Sequence, residues 1–95
     1  MLNDYYNHRA SEYEEIYRRK GPVRQKELKE IATAMKNVLA GRRVLEIACG
    51  TGYWTKMATT VAENILAIDI SNKMLGIAKA KKLPTEKVRF VTADA

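Results

Sequence analysis

Cysteine is nearly missing from this chain: its 95 residues hold one, Cys49. One cysteine excludes an internal disulfide, so a packed core has to hold the fold, and the expected compartment is the cytoplasm. Histidine is as scarce, with His8 alone, and nothing near it has the makings of a metal site, so no metal is expected. No apolar run approaches the roughly 20 residues of a membrane helix. The opening stretch, MLNDYYNHRASEYEE, lacks the apolar centre of a secretory leader, and no membrane is expected as partner. A block of one charge sign is missing too. The net charge is +6, but residues 1–42 carry nine Lys/Arg against six Asp/Glu, and residues 43–95 carry eight against five. Charge this evenly spread reads as a solvated surface before it reads as a nucleic-acid footprint.

What is present is a simple alternation. The length suits one small domain, and there is no repeat, low-complexity segment or linker. Leu2, Tyr6, Ala10, Tyr13 and Tyr17 recur at steps of three and four, with Ile16 beside them, and predict a helix over about residues 3–19. A tyrosine stripe at that spacing reads as core or interface. Gly21 breaks this helix, and Pro22 suits the first turn of the next. The second helix is expected to run to about Ala40, with Leu28, Ile31, Ala32, Met35, Val38 and Leu39 as its apolar stripe and Gly41 as its stop. RRVLEIA (42–48) then reads as a buried strand, GYWTKMATTVA (52–62) as a helix and NILAIDI (64–70) as a second strand. SNKMLGIAKAKKL (71–83) reads as a helix capped by Ser71 and ended by Pro84, and KVRFVTA (87–93) as a third strand.

Nearly continuous apolar strands separated by helices predict an α/β fold, a Rossmann-like three-layer sandwich with a parallel sheet covered on both faces. Right-handed crossovers set the strand order 3-2-1. The C-terminal strand ends then share one rim, where ligands of open α/β sheets bind. That rim carries Ala48-Cys49-Gly50-Thr51-Gly52, Asp69 and Asp94. Glycines at 50 and 52 permit positive φ and close approach of a ligand to the backbone, and also fit a plain strand–helix turn. The N–H groups at the start of the following helix would welcome an anionic group. Asp69 is placed to accept from a ribose diol, or to cap the helix that follows. Asp94 is placed to take an amino proton from adenine, and the Ala95 N–H to donate to a ring nitrogen; alone, Asp94 would pass for a turn residue. Cys49 reads as a small apolar filler of the loop more readily than as a nucleophile.

Two nucleotide classes suit such a rim. A dinucleotide fingerprint, G-x-G-x-x-G/A, would end here on the β-branched Thr55 after Trp54, where tight helix–strand packing is poor. Glu46 beneath the loop would repel a pyrophosphate and suit an ammonium group. A nicotinamide-dependent oxidoreductase half is therefore disfavoured. An amino acid end, a ribose and an adenine together match every group, and S-adenosylmethionine carries all three.

VLEIACGTGYWT resembles the first motif of class I S-adenosylmethionine-dependent methyltransferases, E/D-x-G-x-G-x-G; AIDIS…ML resembles their second and VRFVTADA their third. YYNHRASEYEEIY resembles the helix that small-molecule members place before the fold. Ala48 departs from the family, standing where its first glycine is usual. The resemblance implies that Glu46 and the loop from Ala48 through Cys49, Gly50 and Thr51 to Gly52 hold the methionine end. It implies Asp69 on the ribose hydroxyls, Ile70 against the adenine, and Asp94 with Ala95 on the adenine edge. It implies methyl transfer to a small molecule rather than to nucleic acid, with S-adenosylhomocysteine as product, and it names no catalytic residue. The family's domain is usually about twice as long, so residues 1–41 read as N-terminal helices and 42–95 as the cofactor-binding half of a truncated domain. A non-catalytic cofactor-binding or assembly fragment is the alternative. With no fourth strand beside it, the first strand would be an open edge, and a homodimer is expected, by pairing of that strand or exchange of the N-terminal helices.

Overall fold

The computed structural model describes residues 9–10 and 21–94. Arg9 and Ala10 are helical; the remainder of the helix expected over 3–19, with His8, Tyr6, Tyr13 and Tyr17, lies outside the described residues, as does Ala95. Helix α1 spans Pro22–Leu39, with Pro22 in its first turn. Its exit is secured twice. Gly41 takes φ +71°, and the Arg42 side chain donates from Nε to the Val38 carbonyl at 2.8 Å. The buried stripe is narrower than the sequence suggests. Leu28 is buried and Ala32, Met35 and Leu39 half-buried, whereas Ile31 and Val38 are 48% and 64% exposed.

Strand β1 is Arg43–Ile47, β2 Asn64–Asp69 and β3 Val88–Thr92. They form one parallel sheet in the order β1-β2-β3, the expected sequence of strands. Helix α2, Tyr53–Ala58, joins β1 to β2, and α3, Asn72–Ala80, joins β2 to β3. Register places Val44, Glu46, Ile65, Ala67 and Val88 on one sheet face, because Val44 pairs with Ile65 and Ile65 with Val88. There the core forms from Cys49, Ala58, Ala62, Ile65, Ala67, Leu75 and Val88, with Met35 and Leu39 of α1 against it. Alanines at four of these and neighbouring buried positions, 58, 62, 67 and 78, let the helices sit close to the sheet.

Coverage of both sheet faces, expected from the apolar strands, is not what the described residues build. Burial alternates along β1 and β2, and the second face leaves Leu45 and Ile47 each 59% and Leu66 40% exposed. The reason is that α1, α2 and α3 all contribute to the core on the first face. Two helices also stop earlier than expected. After Ala58 the Thr59 and Thr60 hydroxyls donate to the carbonyls of Lys56 and Met57, at 2.7 and 2.8 Å, and draw the backbone out of the α2 ladder. Helix α3 ends at Ala80, ahead of Pro84, because Lys82 turns left-handed at φ +54° and Leu83 is constrained by the proline after it.

Candidate functional site

The loop 48–52 leaves β1 through three left-handed residues. Ala48 and Gly50 both have φ +58° and Gly52 has φ +82°. The Cys49 N–H still donates to the Ile68 carbonyl at 3.0 Å, so sheet pairing runs into the loop before the chain turns. Asp69, at the end of β2, fastens the turn. One carboxylate oxygen accepts from the Gly50 N–H at 2.8 Å and the other from the Ser71 N–H at 2.8 Å. The side chain is 7% exposed. One acid thus ties the first strand–helix junction to the second. Each oxygen keeps a lone pair, since an ionised carboxylate offers about four acceptor sites. Tying the two junctions together therefore leaves Asp69 with acceptor capacity. Ser71, fully buried, caps α3 as expected, accepting from the Met74 N–H at 3.2 Å.

The two glycines differ in what they accommodate. A Cβ on Gly50 would meet only Met74 Sδ, at 3.7 Å, so the requirement there is conformational. A Cβ on Gly52 would lie 2.9 Å from Ala78 Cβ. Gly52 is buried, and its missing side chain lets α3 pack against the loop; close approach of a ligand is not needed to explain it. The Gly50 N–H is occupied by Asp69. Thr51 is buried in the same loop.

Glu46 lies on the core face of β1, half-buried, and accepts a hydrogen bond from the Thr55 hydroxyl at 2.5 Å. Burial raises its carboxyl above the ordinary 4.5, and the Thr55 bond opposes that rise. Cys49 is pushed up to about 12 by burial and by the nearby charges of Glu46 and Asp69, which keeps it a thiol and removes it as a nucleophile. On the rim beyond Asp69, Ile70 is half-buried and Asp94 exposed. The Thr92 hydroxyl donates to Asn72 Oδ1 at 2.5 Å, closing β3 against the start of α3. Among the described residues no group of three or more His, Cys, Asp and Glu side chains could hold a metal ion, and no helix is long and apolar enough to cross a membrane.

The structure thus places Glu46, Ala48, Cys49, Gly50, Thr51, Gly52, Asp69, Ile70 and Asp94 at or next to the C-terminal ends of the three strands. Thr55 is a site residue that the sequence reading weighs only against a pyrophosphate; it is fully buried and bonded to Glu46.

A parallel sheet with a glycine loop after β1 and an acid at the end of β2 is the Rossmann-like arrangement at which α/β proteins commonly bind nucleotides. Residues 44–95, more than half of the chain, match the model of a methyltransferase domain family, and the chain belongs to that family. It is 43% identical over 53 residues to the ubiquinone biosynthesis O-methyltransferase of Dechloromonas aromatica, a match covering 55% of this chain and 23% of that protein. It is 36% identical over 61 residues to the demethylmenaquinone methyltransferase of Staphylococcus aureus, covering 61% of this chain and 25% of that one. The chain thus spans about a quarter of the length of these curated relatives. Among solved structures, the DhpI-SAM-HEP complex superposes with a TM-score of 0.77 at 31% identity, covering 96% of this chain and 40% of DhpI.

Proposed function

We propose that this chain supplies the cofactor-binding half of an S-adenosylmethionine-dependent methyltransferase acting on a small molecule. The observation that carries the reading is the Asp69 clasp, which holds a loop of left-handed residues above Glu46. The fit is chemical. Glu46 offers a carboxylate to an ammonium group, Asp69 keeps acceptor sites for a ribose diol, and Ile70 offers an apolar side chain to an adenine ring. Asp94 would take the adenine amino protons, with Ala95 beside it. The solved complex with SAM, at 31% identity, supports the same ligand. When bound, the cofactor supplies an electrophilic methyl group on a sulfonium. What the residues of this chain contribute is orientation, and positioning supplies much of the rate in such displacements. A small-molecule acceptor is supported by the quinone-pathway names of the curated relatives and by the even spread of basic charge.

A second element of the reading is self-association. β1 is an edge strand among the described residues, and its uncovered face presents Leu45 and Ile47. A homodimer would bury them.

Thermal melting tests the cofactor. S-adenosylhomocysteine at a hundred times its dissociation constant adds about 2.7 kcal/mol, which for a chain of this size raises Tm by roughly 10–20 °C. NADH at the same concentration is expected to leave Tm unchanged. A rise with NADH alone would return the site to the dinucleotide class.

A further inference from the structure

We propose that Thr55 is the positioning residue for the amino acid end of the cofactor: its hydroxyl fixes one oxygen of Glu46 so that the other meets the ammonium group. This rests on the S-adenosyl reading above and deepens it.

The geometry behind it is unusual for a helical threonine. Thr33, Thr59 and Thr60 each donate to a carbonyl of their own helical turn, at 3.0, 2.7 and 2.8 Å, the ordinary destination of such a hydroxyl. Thr55 instead spends its proton on Glu46 Oε1, nine residues back and on a different element, at 2.5 Å. It does so with no exposure to solvent, while Glu46 remains half-buried. A buried neutral donor directed at a carboxylate fixes its rotamer and favours its ionised form. Oε1 is then committed and Oε2 is left for a second donor. Thr55 Oγ1 also lies 3.9 Å from where a Gly52 Cβ would stand, which places the bond directly under the loop. Two other titratable groups belong to this surround. The Cys49 thiol, from the loop, feels both Glu46 and Asp69 and stays protonated up to about 12. Asp69, from β2, is common to wild type and to Thr55 variants, so its contribution cancels in their difference. Burial alone would push Glu46 toward its neutral form, in which it holds an ammonium group poorly; the Thr55 bond works against that shift.

Calorimetric titration of the chain between about pH 4.5 and 8 tests the role. The two ligands are S-adenosylhomocysteine and 5′-methylthioadenosine, which lacks the amino acid end. Thr55→Val is expected to weaken S-adenosylhomocysteine about tenfold near neutrality, the scale of a lost hydrogen bond to a charged group. It should also move the acid limb of the affinity profile upward by about one pH unit. Methylthioadenosine affinity should not change, and Thr55→Ser should restore the wild-type profile. Glu46→Gln should abolish the acid limb and make a further Thr55→Val silent. Where circular dichroism shows Thr55→Val unfolded, Thr55→Ala carries the same comparison. Equal weakening of both ligands would make Thr55 merely structural and overturn the proposal, as would an unchanged profile in Glu46→Gln. If the wild-type chain takes up neither ligand, the cofactor reading falls, and the role of Thr55 with it.

Discussion

Ala48 holds a left-handed backbone, φ +58°, with a side chain that disfavours it. The left-handed region costs a residue with a Cβ roughly 1–2 kcal/mol, and a glycine in its place gives back about 0.4–1 kcal/mol through the entropy of the unfolded chain. Ala48→Gly is therefore expected to stabilise the fold by about 0.5–1 kcal/mol, seen as a higher midpoint in urea. A lower midpoint would mean that the Ala48 methyl has packing of its own. At Gly52 the sign reverses. A methyl there would meet Ala78 Cβ at 2.9 Å in addition to taking a φ of +82°. Gly52→Ala should cost about 2–4 kcal/mol, the sum of overpacking and left-handed strain. Glu46 gives a dependence on pH. Its carboxyl is raised in the folded state by burial, so the folded protein binds the proton more tightly than the unfolded chain does. That contribution to stability is fully present below about the ordinary 4.5 and is lost as pH rises through the folded value. Glu46→Gln should accordingly raise Tm at pH 7 by more than at pH 4. An equal effect at both would show that the charge of Glu46 is not what burial opposes.

At the scale of elements, what was legible and what was not divide along physical lines. Strand order and the N-cap at Ser71 followed from local signals: apolar runs of strand length, handed crossovers, and a serine before a helical pattern. Helix ends were less legible, because Thr59 and Thr60 have helix-compatible neighbours and act through hydroxyl bonds that periodicity does not register. Apolar strands suggested burial on two faces, but Leu45, Ile47 and Leu66 are apolar and exposed; apolar content alone does not say whether a covering layer exists in the same stretch of chain. In the site, Gly50, Gly52 and Asp69 were legible as a rim, with Glu46 beneath the loop. Their partners were not, since Asp69 to Gly50 spans 19 residues and Thr55 to Glu46 spans nine, across separate elements. The Ser71 cap offers a check on one such junction. Ser71→Ala removes the acceptor of the Met74 N–H and should cost about 1 kcal/mol, read as a lower urea midpoint; an unchanged midpoint would mean that α3 is held by packing alone.

For the whole molecule, the sheet face that the described residues leave uncovered bears on the proposed self-association. Leu45 and Ile47, at 59% exposure each, sit on the edge strand β1, so association would remove apolar surface and pair the edge together. Light scattering on a sizing column at micromolar concentration should give twice the 10.8 kDa chain mass, and Ile47→Lys, which alters an exposed side chain, should give the monomer. A wild-type monomer would contradict the association. The S-adenosyl site itself is tested most directly by amide NMR titration with S-adenosylhomocysteine, which alters no residue. Saturable shifts should gather at residues 46–52, 69–71 and 92–95 and leave the outer face of α1 still. Saturable shifts confined to α1, or no shifts at millimolar ligand, would contradict it.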